Sequence, residues 1–108
     1  MSEIVKCIAD SLQDCVENRK LIKIDNKRVA VTINKNKNAK GKTFLVAIFV
    51  QDIPILTVRK LVKVGSSHGF VITSPFLRKL ADMNIRVKVC YQELENPSTA
   101  SYTDKELG

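Results

Sequence analysis

Apolar residues in this chain fall into short runs separated by polar and basic punctuation. Ile4, Ile8, Leu12 and Cys15 recur at helical spacing with Val5 and Val16 beside them, which predicts an amphipathic helix over 3–17. Ser2 suits its N-cap, and Asn18-Arg19-Lys20 suits its negative end. The helix is expected to cover one face of the chain's own sheet. Leu21 to Asp25 and Val29 to Ile33 read as strands around an Asp-Asn-Lys-Arg turn, with Val29, Val31 and Ile33 on one face. Residues 34–42 are polar and basic, a loop. Thr43 to Gln51 is the most apolar run and reads as a central strand buried on both faces, broken by Asp52-Ile53-Pro54.

The stretch from Ile55 onward carries the most organised signal. It predicts one long strand to Val64, with Arg59, Leu61 and Lys63 on one face. The opposite face, Val58, Lys60, Val62 and Val64, is mostly apolar and suits a core. Gly65-Ser66-Ser67-His68-Gly69 predicts a tight turn between two glycines. Phe70-Val71-Ile72 continues as a strand, and a short helix follows, capped by Thr73 or Ser74 with Pro75 in its first turn. Ile85 to Tyr91 is the last strand. The first hairpin, Leu-Ile-Lys-Ile, echoes the second, Leu-Val-Lys-Val. Short hairpins share such patterns, so no internal duplication is read from it.

Charge adds a partner class. The 108 residues carry a net +7, concentrated in the middle: residues 17–56 and 57–92 each sum to +6, while both ends are acidic. A basic body favours a polyanion through counterion release. No run approaches the roughly 18–20 apolar residues of a membrane span, and no signal-peptide pattern opens the chain. The expectation is a soluble cytoplasmic protein, nucleoid-associated if bacterial or archaeal. Three cysteines lack CxxC spacing. If Cys7 and Cys15 share a helix they lie roughly 12 Å apart and cannot pair. Buried free thiols are the better reading; a bridge from Cys90 to the amino-terminal helix belongs to an oxidising or hyperthermophilic setting. With one histidine, no metal site or cofactor is expected. Ser67-His68 adjacency does not make a nucleophile and base, and carboxylates are few and mostly terminal, so an enzyme is the least expected class.

The order Val58-Arg59-Lys60-Leu61-Val62-Lys63-Val64-Gly65-Ser66-Ser67-His68-Gly69-Phe70-Val71-Ile72 resembles the AbrB/MazE/SpoVT family of swapped-hairpin DNA-binding domains, over about residues 57–90. That family runs basic strand, Val-Gly-Asn-Ser-Arg-Gly, Val-Val-Ile-Pro and a short helix. Here Thr73 replaces the proline, and His68 stands where arginine is common. The resemblance implies a homodimer whose hairpins interleave into one barrel, duplex-DNA binding for transcriptional control and, in some members, an antitoxin role.

The combined expectation is an α+β, mainly β chain. Residues 1–56 form a helix and strand extension, 57–92 an AbrB-like swapped-hairpin β-barrel homodimer with an interleaved core around Val62, Val64, Phe70 and Ile72, and 93–108 an acidic tail. Arg59, Lys60, Lys63, His68, Arg78 and Lys79 are the candidate DNA contacts. Lys35, Lys37, Lys40 and Lys42 are candidate phosphate contacts from the loop. The amino-terminal helix is a candidate site for a protein partner. The rival classes are an antitoxin-like protein-interaction module and a single-stranded nucleic-acid binder, the latter disfavoured by sparse aromatics.

Overall fold

The computed structural model describes residues 3–12, 14–33 and 39–94. The elements are α1 (Glu3–Asp10), β1 (Asp14–Lys20), β2 (Ile22–Lys23), β3 (Arg28–Ile33), β4 (Thr43–Val50), β5 (Ile53–Lys60), β6 (Val62–Val64), β7 (Ser67–Thr73), α2 (Pro75–Asp82) and β8 (Arg86–Glu93). The strands form two four-stranded antiparallel sheets, ordered β1-β8-β4-β5 and β2-β3-β7-β6. The fold is α+β and mainly β. No helix among the described residues is long and apolar enough to cross a membrane.

One core lies between the sheets. Phe44, Val46 and Ile48 of β4 and Val87, Val89 and Tyr91 of β8 face Val29, Val31, Phe70 and Ile72 of the second sheet, with Leu77 and Leu80 of α2 closing one side. Phe44, Phe70 and Tyr91 meet edge-on or tilted, at centroid separations of 5.5–6.4 Å. Burying a side chain such as Phe70 contributes about 1.5–3 kcal/mol. The core draws on both sides of the boundary expected at 56/57, which falls inside β5. A hairpin, helix and strand over 57–92 were expected to need a second chain for their core. The chain's own first half meets that need: β3 pairs with β7, and β4 with β8. Phe70 and Ile72 are buried there, whereas Val62 and Val64 are half-buried on the outer side.

The amino-terminal reading needs correction. The helix ends at Asp10, where the Ser11 hydroxyl donates back to the Ile8 carbonyl at 2.7 Å. It packs through Ala9, with Leu12 just beyond it, on the outer face of the first sheet; Ile4 and Ile8 point away and are exposed. Residues 14–20 are not helical. They pair with β8, with a bulge between Val16 and Arg19 where Asn18 takes a positive φ of 59°. This pairing sets Cys15 opposite Cys90, and the two form a disulfide; Cys7 is free and exposed. The expectation of free buried thiols is overturned because it rested on a helix through Cys15.

The expected long strand is two strands in different sheets. β5 ends at Lys60, β6 starts at Val62, and the fully buried Leu61 marks the crossing. The Leu61 N–H donates to the Lys42 carbonyl and its carbonyl accepts from Gly41 N–H, so the backbone stays satisfied there. The core side is therefore the Leu61 side; Val58, expected in the core, is exposed on the outer face. The apolar strand breaks close to where expected, at a Gln51-Asp52 turn, but Pro54 already belongs to β5. It sits in edge strand β5 opposite Phe49, a place where a missing ladder donor is tolerated.

The turn after β6 is shorter than expected. Val64 pairs with Ser67 across Gly65-Ser66, and Gly65 has φ 60°. A positive φ at the first central position is what a two-residue type II′ hairpin uses. His68 and Gly69 lie in β7. The helix start is as expected: Ser74 caps α2, its Oγ accepting from Leu77 N–H at 3.1 Å, with Pro75 at the first helical position.

The strand order holds a further regularity. Exchanging β1 with β5, β2 with β6, β3 with β7 and β4 with β8 leaves both sheets unchanged. The chain passes between the sheets four times, and at two of these, Leu21 and Leu61, a single buried leucine joins a strand of the first sheet to a strand of the second. The echo between the two hairpins therefore falls on topologically equivalent positions.

Candidate nucleic-acid interface

The six candidate contacts do not form one surface strand. Arg59 and Lys60 close β5, and Lys63 lies on β6 beyond the crossing. Arg59 pairs with Phe44 and is half-buried at the rim of the core, its guanidinium donating to the Val58 carbonyl at 2.7 Å. Lys60 pairs with Thr43 and is exposed. Lys63 pairs with His68, itself half-buried and opposite Ile33 on β3. Leu61 thus acts as a buried anchor that splays Arg59, Lys60 and Lys63 around one corner. Among the described residues none of these three cations has an ion pair.

The loop residue Lys40 is exposed beside the same corner, because Gly41 bonds to Leu61. Lys42 is there too, partnered by Glu93 at 3.5 Å. Lys35 and Lys37 lie outside the described residues.

Arg78 and Lys79 are elsewhere, on α2. Lys79 is exposed. Arg78 is engaged: its Nε donates to the Asp25 carbonyl at 2.7 Å, and its Nη1 donates to Asp82 Oδ1 at 2.5 Å. Only about a fifth of its side chain is accessible, at 21%. Arg78 thus holds α2 to the β2–β3 turn. Asp82 also receives Lys23 at 3.4 Å, while Asp25 caps its own turn, accepting from the N–H groups of Lys27 and Arg28 and from the Arg28 guanidinium.

These bonds hold both carboxyls below the usual carboxylate range: Asp25 chiefly through the Lys27 N–H and Arg28, Asp82 chiefly through Arg78. A depressed folded pKa stabilises above the unfolded value and is lost as pH falls through the folded one. Acidification below about pH 4 is therefore expected to weaken the Asp82 pairs with Arg78 and Lys23, the second of which ties α2 to β2. Arg78→Ala should flatten the acid limb of a thermal-stability profile recorded against pH. An unchanged limb would mean that Arg78 does not hold the Asp82 carboxyl.

No group of three or more His, Cys, Asp or Glu side chains that could hold a metal ion gathers among the described residues. Sequence reasoning passed over Arg19, Lys20 and Lys23, which flank Leu21 as Arg59, Lys60 and Lys63 flank Leu61. The repeated order was the signal. Compared with protein-family models, curated proteins and solved structures, the chain matches none.

Proposed function

We propose that the chain binds duplex DNA, in transcriptional control, through the corner where β5 passes into β6. The observation that carries this reading is the cluster of Arg59, Lys60 and Lys63 around the buried Leu61, without ion pairs among the described residues, on a chain of net charge +7. Cations held on strand ends with no carboxylate to compensate them are available to phosphate and base edges. The resemblance to swapped-hairpin domains supports the reading. There two protomers interleave; here one chain has two topologically equivalent halves. In this reading the two sheets are the walls of one barrel, joined at Leu21 and Leu61, and the first half stands in for the second protomer.

Binding isotherms at several salt concentrations test it. Wild type is expected to prefer duplex DNA over single strands and RNA. Log affinity should fall with log salt by about 0.9 per phosphate contact. Arg59→Ala should cost about 1–3 kcal/mol on a selected site and less on random duplex, as loss of a base contact does. Lys60→Ala and Lys63→Ala should weaken all duplexes alike. A preference for single strands would favour the single-strand reading. No nucleic-acid binding at all would favour an antitoxin-like protein module.

A further inference from the structure

The two one-residue crossings, at Leu21 and Leu61, share more than a leucine. The first reads Arg19-Lys20-Leu21-Ile22-Lys23-Ile24 and the second Arg59-Lys60-Leu61-Val62-Lys63-Val64. Arginine, lysine, leucine and lysine recur in the same places, with aliphatic residues between. The surroundings correspond as well. Arg19 and Arg59 are half-buried, Lys20 and Lys60 exposed, Leu21 and Leu61 buried, Lys23 and Lys63 exposed. β1 and β5 are the two edges of one sheet, and β2 and β6 the two edges of the other. The pairing follows the same pattern, one residue tighter in the second hairpin: Ile22 pairs with Ala30 where Val62 pairs with Gly69, and Lys23 with Val29 where Lys63 pairs with His68.

The fold explains only part of this. A buried apolar residue suits a passage between sheets only one residue long, and β-branched residues suit the short strands that follow. Lysines on edge strands also deter pairing with other chains. Neither reason asks for arginine then lysine before each crossing and lysine at the same place after it. β1 and β5 run antiparallel, so Lys20, beside Arg86, and Lys60, beside Thr43, stand at opposite ends of that sheet. Three strand spacings across and roughly eight residues along put them about 30 Å apart. One turn of duplex, about 34 Å, separates paired half-sites, so two such corners are on the scale of successive half-sites on one face of a duplex.

We propose that Arg19, Lys20 and Lys23 form a second DNA contact, equivalent to Arg59, Lys60 and Lys63, so that one chain grips a duplex at two pseudo-symmetric corners. This rests on the duplex-binding reading above. It implies that the bound site has two related halves, read by one chain as a symmetric dimer reads a palindrome. Lys23 shares Asp82 with Arg78, an exposed pair that a phosphate can displace.

The test compares wild type with two triple variants on one short duplex across a salt series. One carries Arg19→Gln, Lys20→Gln and Lys23→Gln, the other Arg59→Gln, Lys60→Gln and Lys63→Gln. Each is expected to lower the salt slope by about 2–3, from up to three lost contacts at about 0.9 each, with similar losses of affinity. If the first variant keeps the wild-type slope while the second loses it, the chain has one corner contact and the proposal fails, with duplex binding intact. If wild type itself does not bind, the underlying reading fails first, a different result. Should a triple variant not fold, acetylation of lysines in the wild-type protein gives the answer. Bound duplex is expected to protect Lys20 and Lys23 as well as Lys60 and Lys63, while Lys6 on α1 stays reactive. Protection confined to Lys60 and Lys63 overturns the second contact.

Discussion

Replacing Gly69 by alanine is expected to destabilise the protein by about 3 kcal/mol, at or beyond the upper end of the usual cost of overpacking. A Cβ at this position would lie 2.1 Å from the Val31 carbonyl oxygen, 2.7 Å from Thr32 Cα and 2.8 Å from the Val31 carbonyl carbon. All three are backbone atoms of β3, so no side chain can swing aside. The two strands would have to separate, and with them the Val31–Phe70 and Val29–Ile72 pairs at the centre of the core. Gly65 supplies the control. Nothing lies within 4 Å of its added Cβ, so Gly65→Ala carries only the strain of its positive φ, about 1–2 kcal/mol. Urea midpoints at constant m-value give both numbers. A Gly69→Ala cost at or below that of Gly65→Ala would show that β3 and β7 do not approach as closely as described.

Gly69 also shows where the chain was readable and where it was not. Elements with local signals were legible. The apolar run of β4, the cap and proline of α2, and the Asp-Asn-Lys turn with its side-chain acceptor each carry their cause within a few residues. What failed was decided between distant segments. Gly65 and Gly69 both look like turn glycines in sequence, and only the β6–β7 register separates them. Residues 14–20 have a helical spacing of apolar residues shared with α1, but pairing with β8 overrides it. The crossing at Leu61 has no local mark either, since Arg-Lys-Leu-Val-Lys alternates as any strand does. Its bonds to Gly41 and Lys42 set it.

The candidate interface divides the same way. Charge and order along the chain pointed to Arg59, Lys60 and Lys63, because an exposed cation near a buried leucine is visible as alternation. Arg78 was equally basic in sequence but is tied to Asp25, far away along the chain. Arg19, Lys20 and Lys23 were hidden by being read as the end of a helix. Once β1 is a strand, their order beside Leu21 matches that beside Leu61.

Breaking the Cys15–Cys90 bridge is expected to cost the most of any change considered. The bridge joins residues separated by 75 positions. Closing a loop of that length removes denatured-state entropy worth about 4 kcal/mol in the chain-entropy treatment. A small domain has roughly 5–15 kcal/mol of stability in all, so the bridge is a large share of it. The location strengthens the expectation. β1 is an edge strand with little apolar contact, its Val16 only half-buried, and Glu17 and Lys20 exposed. Without the bridge, β1 keeps its ladder with β8, interrupted by the bulge, the packing of Val16 on the core and the bond from the Arg86 guanidinium to the Asn18 carbonyl. Adding reductant, or making Cys15→Ser with Cys90→Ala, should lower the urea midpoint substantially and release the β1 amides to fast hydrogen exchange before the rest of the sheet. Cys7→Ser should change neither, since Cys7 is exposed and unbridged. If β1 opens, Arg19 and Lys20 lose their fixed places beside Leu21. The first corner's share of the salt slope should then fall on reduction while that of the Leu61 corner persists. A midpoint unmoved by reductant would show that strand pairing alone holds β1.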